Sequence, residues 1–381
     1  MPLRLAVLPD FPAEGWPSMD LCADMLLAHL PQSVRAERVC PPFRRVACRL
    51  PVVGRKNAAF NADRLLNRFA TFPNFARRNR GRFDCFHVVD HTYAQLVHSL
   101  PGERTGVYCH DLDAFRCLIE PARDPRPWWF RRLARRIMSG LQRAAVVFHN
   151  STQTGEELRR FGLVDPAKLV YAPLGIAPQF TPTGAGVCLP WLDTLTGSPW
   201  VLHVGSCIPR KRIDVLFDVV AAVRREVPEL RLVKVGGEWS ADQKRQLDRL
   251  GLSGNVVHVT GLSRTELAEV YRRAPVVLVP SEAEGFGLPA IEALACGSAV
   301  IASDLPVLRE VGGEVVTYHP VGDVPAWAGA VMNHLTKRDW ISDRAARLAW
   351  AGRYRWATHA GTIAATYGRI LRGEPLCGSS S

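Results

Sequence analysis

The stretch SEAEGFGLPAIE at residues 281–292 lies between two largely apolar runs and decides how this part of the chain folds. The run before it, PVVLVP (275–280), and the run after it, SAVIASD (298–304), are short and show no regular polar alternation. Such runs are typical of strands in a parallel sheet that helices cover on both faces. The stretch is therefore predicted to be a strand-to-helix turn at the carboxyl edge of an inner strand, where open α/β sheets bind their ligands.

The same alternation of strand-like and helix-like segments extends along the whole chain. At 381 residues the chain is too long for one ordinary core. We predict an α/β fold with two Rossmann-like, doubly wound parallel sheets. The other strand candidates are LRLAVL (3–8), RAERVC (35–40), CFHVVD (85–90), TGVYCHD (105–111), AAVVFHN (144–150), KLVYAP (168–173), WVLHVG (200–205), LRLVKVGG (230–237) and NVVHVTG (255–261).

A segment rich in Pro, Gly and Thr marks the boundary between the two domains. It predicts an N-terminal domain over 1–176, a linker over 177–197 and a C-terminal domain over 198–350. The last helix, 351–371, fits either domain, and residues 372–381 are expected to be a tail.

Composition favours a cytoplasmic globular protein. Hydrophobic residues make up 47% of the chain, and no apolar run reaches the roughly 18 residues that span a bilayer. The N-terminus has no signal-peptide core and is predicted to be a first strand. The ten cysteines form no C-x-x-C pair, which favours reduced thiols over a disulfide framework or a zinc site.

The positive charge is concentrated in the first half of the chain. Residues 31–145 contain 22 basic and 9 acidic residues, a surplus of 13, whereas the whole chain carries +12. This surplus fits either a solvated basic face or a surface that meets an anionic membrane, an anionic acceptor or nucleic acid. Trp128 and Trp129 are expected in the core or at a membrane. A helical stripe that fits an interfacial helix follows them, formed by Arg131, Arg132, Arg135 and Arg136.

The turn at 281–292 has the chemistry of a ligand cradle. Pro289 suits the first turn of a helix, and no Ser, Thr, Asp or Asn stands before it as a cap, so the first N–H groups stay available. Gly285 and Gly287 allow the backbone to approach a ligand closely. A bare phosphate would be repelled by Glu284, so the ligand should also carry hydroxyls, as a nucleotide sugar does. The alternative is that Glu284 is a solvated turn residue and that Glu292 only complements the helix dipole.

Two further groups lie at predicted carboxyl edges. Arg210 and Lys211 follow a strand and a tight turn, where two cations suit a diphosphate leaving group. His110 ends an apolar strand in the first domain and is the histidine that we favour for function. His91 and His149 are expected to be structural.

At this level of detail the chain resembles the GT-B glycosyltransferases of the retaining family 4 type (glycosyl transferases group 1). EGFGLPAIEA (284–293) is similar to the family's E-x7-E motif, and VGSCIPRKR (204–212) is similar to its glycine turn with an Arg/Lys pair. YCHDLD (108–113) resembles the segment with the catalytic histidine, and YRWATHAGTIAATYGRIL (354–371) resembles a C-terminal helix that crosses back onto the first domain. The resemblance implies a GT-B fold, with an acceptor domain and a nucleotide-sugar donor domain facing across a cleft.

The resemblance also implies residue roles. Glu284 would contact the donor sugar and stabilise an oxocarbenium-like charge, and His110 would lie near the reacting centre. Arg210 and Lys211 would neutralise the departing diphosphate, and Glu292 would bind the ribose hydroxyls. No metal or other cofactor is implied. The donor-binding set is completed by Gly15, Gly205, Ser206, Gly236, Leu262, Gly285, Phe286, Gly287 and Leu288.

Two departures from the family pattern concern the donor. Gly15 stands alone where the family often has a Gly-Gly loop, and Ser206 replaces an Arg that many members have. The implied reaction moves a hexose, with GDP-mannose or a UDP-hexose as donor, to a lipid-linked or polysaccharide acceptor with retention of configuration. This reaction would place the protein in the cytoplasm, with the basic domain at the inner face of the membrane.

Two alternatives belong to other classes of function. A sugar-nucleotide epimerase can share the architecture, although the cation pair together with the two glutamates favours transfer. A nucleic-acid-binding protein could use the basic region, but aromatic residues do not alternate with the basic ones as such binding requires. No nucleic-acid partner is therefore expected.

Overall fold

The computed structural model describes residues 2–49, 56–184, 186–336 and 342–376. The chain divides into two compact units. The first comprises Met1–Gly175 and Trp356–Ser381, and the second comprises Ile176–Arg355.

The first unit is built on a parallel sheet with the strand order β2-β1-β3-β4-β5-β6. The chain adds β2 on one side of β1 and β3 on the other, so the switch point of this sheet lies between β1 and β3. The inner strands β3, β4 and β5 are buried along their whole length, as their continuous apolar sequences predict. The strands are β1 Leu3–Leu8, β2 Val34–Arg38, β3 Cys85–Val88, β4 Thr105–Cys109, β5 Val146–His149 and β6 Leu169–Tyr171.

Helices and helical turns connect these strands. The α-helices are α1 Pro17–His29, α2 Lys56–Leu66, α3 Phe72–Asn79, α4 Arg116–Ile119, α5 Trp128–Arg143, α6 Thr152–Arg160 and, from the end of the chain, α15 Trp356–Arg372. A π-helical turn, Asn67–Thr71, joins α2 to α3, and 3-10 helices cover Pro12–Glu14 and His91–Ser99.

The second unit contains another parallel sheet, with the order β12-β11-β10-β7-β8-β9. Its switch point lies between β7 and β10, the strand that precedes the stretch 281–292. Its strands are β7 Trp200–Val204, β8 Arg231–Val235, β9 Val256–Val259, β10 Val276–Val279, β11 Ala299–Ser303 and β12 Thr317–His319. The edge strand β12 was not predicted, because it has only three half-buried residues and no apolar run.

The helices of the second unit include two with a complete capping box. One box is formed by Ser263 with Glu266 and the other by Ser240 with Gln243. The helices are α7 Pro190–Asp193, α8 Ile213–Val223, α9 Ala241–Arg249, α10 Arg264–Arg273, α11 Leu288–Cys296, α12 Pro306–Gly312, α13 Val324–Thr336 and α14 Arg344–Ala351.

The two parallel sheets confirm the predicted α/β class. The segment 177–197, which its composition marked as a linker, packs into the second unit. Its apolar side chains account for this: the Phe180 ring lies edge-on to Tyr271 at 5.7 Å between centroids, and Leu192 and Leu195 are buried.

The last helix belongs to the first unit and begins at Trp356 instead of residue 351. The buried Tyr367 hydroxyl donates to the Phe86 carbonyl oxygen at 2.8 Å and lies 3.1 Å from Nδ1 of His87. The chain after the second unit thus supplies part of the core beneath β3. Among the residues that the structure describes, no helix has the length and apolar character needed to cross a membrane.

Candidate functional site

The turn at 281–292 connects β10 to α11 with an open helix N-terminus. Gly287 is the N-cap residue, with φ 94°, and no side chain caps the helix. A Cβ at this position would lie 2.7 Å from Cδ2 of Leu308, so both the backbone conformation and the space require glycine. Pro289 lies in the first helical turn, as predicted, and has no N–H of its own, and the Ala290 N–H donates to the Gly287 carbonyl oxygen at 3.0 Å. The start of the helix therefore presents the Leu288 N–H and the positive end of its dipole.

The Glu284 carboxylate is held by cations from another turn. Lys211 Nζ donates to Oε1 at 2.6 Å, and Ser281 Oγ donates to the same oxygen at 2.7 Å. Arg210 Nη1 lies 3.6 Å from Oε2, and only 5% of the glutamate side chain is exposed. The interpretation of Glu284 as a solvated turn residue is therefore wrong.

The cation pair comes from a 3-10 turn, Pro209–Lys211, that follows β7. The Arg210 guanidinium also donates to the Ala283 carbonyl oxygen at 3.1 Å, and the Arg210 carbonyl accepts from the Glu282 N–H at 2.9 Å. These contacts join the turns after β7 and β10, which are neighbours at the switch point of the sheet. Two motifs 73 residues apart in sequence thereby form one constellation of two cations, a carboxylate and the uncapped start of α11.

Lys234, which was not predicted as a site residue, lies next to the glycine turns at this edge of the sheet. The residue is fully buried in β8, and its Nζ donates to the carbonyl oxygens of Gly205 at 2.7 Å and Val235 at 3.2 Å and, closely, to that of Gly236. Burial lowers the pKa of Lys234 to about 8. The ammonium fastens the glycine turns that end β7 and β8. A lysine within the apolar run LRLVKV was the available signal.

His203 is a second missed residue in this region. Its Nδ1 donates to the Leu278 carbonyl oxygen at 2.9 Å, and burial lowers its pKa to about 3, so the ring is neutral with Nε2 as an acceptor. Within the described residues Nε2 has no hydrogen-bond partner. It points toward the turn, 3.5 Å from the position that a Cβ of Gly205 would occupy.

Glu292 lies in the second turn of α11 and is buried. The Tyr271 hydroxyl donates to its Oε2 at 3.2 Å, and burial raises the pKa of Glu292 to about 8. The alternative that Glu292 is a solvated residue that only complements the helix dipole is therefore wrong. Its contact with ribose hydroxyls stays a prediction.

The remaining predicted donor residues of the second unit surround the same edge. Phe286 is buried edge-on against Tyr354, with centroids 5.7 Å apart, whereas Ser206 is exposed. Leu262 lies half-buried between β9 and α10. Gly205 and Gly236 both have positive φ, and a Cβ on Gly236 would lie 3.1 Å from the Gly205 carbonyl oxygen. Glycine is thus required where the two turns approach each other.

In the first unit, His110 directly follows β4 and is buried. Its Nε2 donates to the Val89 carbonyl oxygen at 2.9 Å, and burial lowers its pKa, so the ring is neutral and Nδ1 is left as an acceptor. His91, which the sequence analysis considered structural, lies between two carboxylates. Its Nδ1 is 3.1 Å from Asp90 and its Nε2 is 3.7 Å from Asp111. Burial lowers the pKa of His91, but the Asp90 carboxylate outweighs this effect and raises it.

Asp10 is a residue at this edge that the sequence analysis missed. It follows β1, as Asp90 follows β3, so the two carboxyls lie at the switch point of the first sheet. Within the described residues neither carboxyl oxygen of Asp10 has a standard hydrogen-bond partner. Burial, and then the charge of Asp90, raise its pKa well above the usual value. An acidic residue two positions after the end of the first strand was the signal.

Gly15 lies in the loop after β1, in a left-handed conformation with φ 70°. A Cβ there would meet nothing within 4 Å, so only the backbone conformation favours glycine. The loop is fixed through Glu14, whose carboxylate pairs with Arg68 and Arg64 and accepts from the Tyr93 hydroxyl at 2.6 Å.

These features define a class of protein. Each unit is a doubly wound parallel sheet with polar groups at its switch point, and solved structures share this architecture over nearly the whole chain. Sucrose-phosphate synthase from Thermosynechococcus elongatus matches with a TM-score of 0.75 and 20% identity, covering 98% of this chain and 100% of that one. Anabaena HepE in complex with UDP-glucose matches with a TM-score of 0.73 and 16% identity, covering 96% and 99%. The fold is GT-B.

Sequence comparison then identifies the family. Residues 193–349 match the model described as Glycosyl transferases group 1, and residues 23–180 match Glycosyltransferase Family 4. A D-inositol 3-phosphate glycosyltransferase of Stackebrandtia nassauensis is 32% identical over 318 residues, which cover 77% of this chain and 69% of that protein. The chain belongs to the family of these proteins, the group 1 glycosyltransferases.

A second relative has the same name and a longer chain. The D-inositol 3-phosphate glycosyltransferase of Segniliparus rotundus is 30% identical over 251 residues, 61% of this chain and 53% of that protein. The chain spans about half the length of the first curated relatives that it matches.

Proposed function

We propose that this protein transfers a hexose from a nucleotide diphosphate sugar to an acceptor, with retention of configuration. The observation that carries the proposal is the Glu284 carboxylate, held by Lys211 and Arg210 beside the uncapped start of α11. This arrangement offers positive charge for a diphosphate and a carboxylate for sugar hydroxyls at one edge of the sheet.

The chemistry follows from these groups. As the bond between the anomeric carbon and the diphosphate breaks, negative charge grows on the leaving phosphate and positive charge grows on the sugar ring. Arg210, Lys211 and the Leu288 N–H at the start of α11 stabilise the negative charge on the phosphate, and Glu284 stabilises the positive charge on the sugar ring. These cations would do the work that a metal ion does in other transferases, so we propose a reaction without metal. The acceptor oxygen bonds to the anomeric carbon on the face that the diphosphate leaves, and the leaving phosphate takes the proton of the acceptor hydroxyl.

A UDP-hexose is the donor that the comparisons favour. The HepE structure with a TM-score of 0.73 holds UDP-glucose. GDP-mannose, the other donor suggested by the sequence, is tested beside it. Thermal-shift measurements with UDP, GDP, ADP and their sugars identify the donor, because the nucleotide with the correct base should give the largest stabilisation.

The acceptor that the relatives' names favour is a small phosphorylated polyol. Both named relatives are D-inositol 3-phosphate glycosyltransferases. An anionic acceptor suits the basic first unit, and this proposal replaces the lipid-linked or polysaccharide acceptor expected from the sequence.

The test compares Glu284→Gln with Glu282→Gln. Glu282 is 47% exposed, pairs only loosely with Arg212 at 3.5 Å, and provides a matched control. We expect Glu284→Gln to lower transfer by at least about 100-fold, with the nucleotide-induced thermal shift retained, and the control to keep near-normal activity. Release of nucleoside diphosphate with a glycosylated product supports the proposal. Near-normal transfer by Glu284→Gln, or isomerisation of the sugar while it stays on the nucleotide, would contradict it.

A further inference from the structure

Helix α5 of the first unit presents two large indole rings to solvent. Trp128 is 71% exposed and Trp129 is 47% exposed, although both begin a helix whose opposite face is well packed. The core face of α5 consists of Ala134, Ile137, Gly140 and Leu141, which are buried. The indoles are therefore not core residues, and two adjacent exposed indoles form a contiguous apolar patch of the kind that marks an interaction surface.

Arginines continue the exposed face. Trp128, Arg132 and Arg135 are spaced by four and three residues and lie on one side of the helix, and Arg136 lies two turns after Trp129. Arg132, Arg135 and Arg136 are exposed, and within the described part of the chain their side chains have no ion-pair partner. The face thus joins two indoles to three uncompensated positive charges.

The position of α5 in the fold shows toward which edge of the sheet this face begins. The helix lies between the parallel neighbours β4 and β5, so it carries the chain from the carboxyl edge of the sheet back to the opposite edge. Its first turn, with Trp128 and Trp129, therefore lies toward the edge where β4 ends and His110 stands.

We propose that the face formed by Trp128, Trp129, Arg132, Arg135 and Arg136 docks on an anionic membrane surface. Indole rings partition into the headgroup region of a bilayer, and guanidinium groups pair with lipid phosphates. Both kinds of residue stand on one face of one helix, as an in-plane anchor requires. Single-stranded nucleic acid is disfavoured as the occupant, because its binding needs aromatic platforms spread along a basic track. Here both indoles precede all three of these arginines.

The experiment is co-sedimentation of the full chain with vesicles of phosphatidylcholine, either pure or mixed with phosphatidylglycerol. We expect binding to the anionic vesicles only, weakened by salt. Trp128→Ala/Trp129→Ala and Arg132→Glu/Arg135→Glu should each weaken it by at least about tenfold. The matched charge control is Lys244→Glu/Arg249→Glu on the exposed face of α9, and Leu371→Ala, 45% exposed on α15, is the apolar control. Both controls should bind as wild type does.

The outcomes separate this inference from the proposed reaction. Retained thermal melting and retained sugar transfer to a soluble acceptor show that the variants fold and that only docking is lost. Two results would overturn the inference. The first is no binding of wild type to anionic vesicles, whether or not it binds single-stranded DNA, and the second is binding by the α5 variants as strong as that of wild type.

Discussion

Two glutamates of one motif have different surroundings in the second unit. Glu284 faces Lys211 and Arg210, with Lys211 Nζ at 2.6 Å, whereas Glu292 lies in the buried face of α11 next to the Tyr271 hydroxyl. Burial raises the pKa of Glu292 to about 8, because the weaker effects of Tyr271 and Arg264 do not offset the loss of water. A spacing of eight positions in the sequence could not reveal this difference.

The raised pKa of Glu292 predicts a pH dependence of stability. The folded-state pKa of about 8 lies above the reference value of 4.5. The stabilisation by this group is thus complete below pH 4.5 and is lost as pH rises through 8. Between these limits the free energy of unfolding should fall by up to about 1.4 kcal/mol per pH unit from this residue. Glu292→Gln should flatten that slope, as measured by urea unfolding across the range, and Glu282→Gln should leave it unchanged. Equal slopes in all three proteins would show that Glu292 is ionised in the fold.

At the scale of elements, the site depends on how three strand ends are fastened. Lys234 in β8 binds the carbonyl oxygens of Gly205 and Gly236, and the Arg210 turn after β7 is bonded to the turn after β10. The carbonyls are thereby held toward the interior. The uncapped start of α11 needs no such support, because the left-handed Gly287 and Pro289 already set its first turn.

Lys234→Met tests whether the buried ammonium shapes the donor site. Methionine keeps the length and apolar stem of the lysine but leaves the carbonyls of Gly205 and Gly236 without their donor. Loss of this donor should lower the free energy of unfolding by about 1 to 3 kcal/mol, so the kinetics are measured well below the unfolding transition. We expect the KM for the nucleotide sugar to rise by about tenfold and kcat to change less. Lys244→Met, exposed on α9, is the control. An unchanged KM would show that the turns keep their conformation without the ammonium.

At the scale of the whole molecule, the end of the chain completes the first unit. Helix α15 inserts Ala360, Ile363 and Tyr367 into the interior of a unit whose other residues end at Gly175. The Tyr367 hydroxyl fits against Gly106 so closely that a Cβ there would lie 2.4 Å from it. The first unit therefore depends on residues that follow the whole second unit in sequence.

Tyr367→Phe tests this dependence. The substitution keeps the ring and deletes the hydroxyl that donates to Phe86 and contacts His87. Loss of these buried hydrogen bonds should lower the free energy of unfolding of the first unit by about 1 to 2 kcal/mol, seen as an earlier urea transition. Thr362→Ala on the same helix removes a hydroxyl that donates only to the carbonyl of Thr358, and it should have a smaller effect. Equal effects of the two substitutions would argue against a structural role of Tyr367.

Much of the site could be predicted because its signals are local. The uncapped helix at Pro289, the glycines of the turn and the cation pair after a strand all follow from short-range rules of backbone geometry. Lys234, His203 and Asp10 were missed because each stands in or next to an apolar strand. Which partners a buried polar group meets depends on neighbouring strands that lie far away in sequence.

The sequence by itself determined the alternation of strands and helices, the open N-terminus of α11 and the basic character of the first unit, since these depend on neighbouring residues and on composition. Only the tertiary structure decided that Glu284 meets Lys211, that Glu292 is shielded from water and that residues after Arg355 complete the first sheet's core. Strand order brings distant turns together, and burial sets the electrostatic free energy of each charge, so both become defined only when the chain has folded.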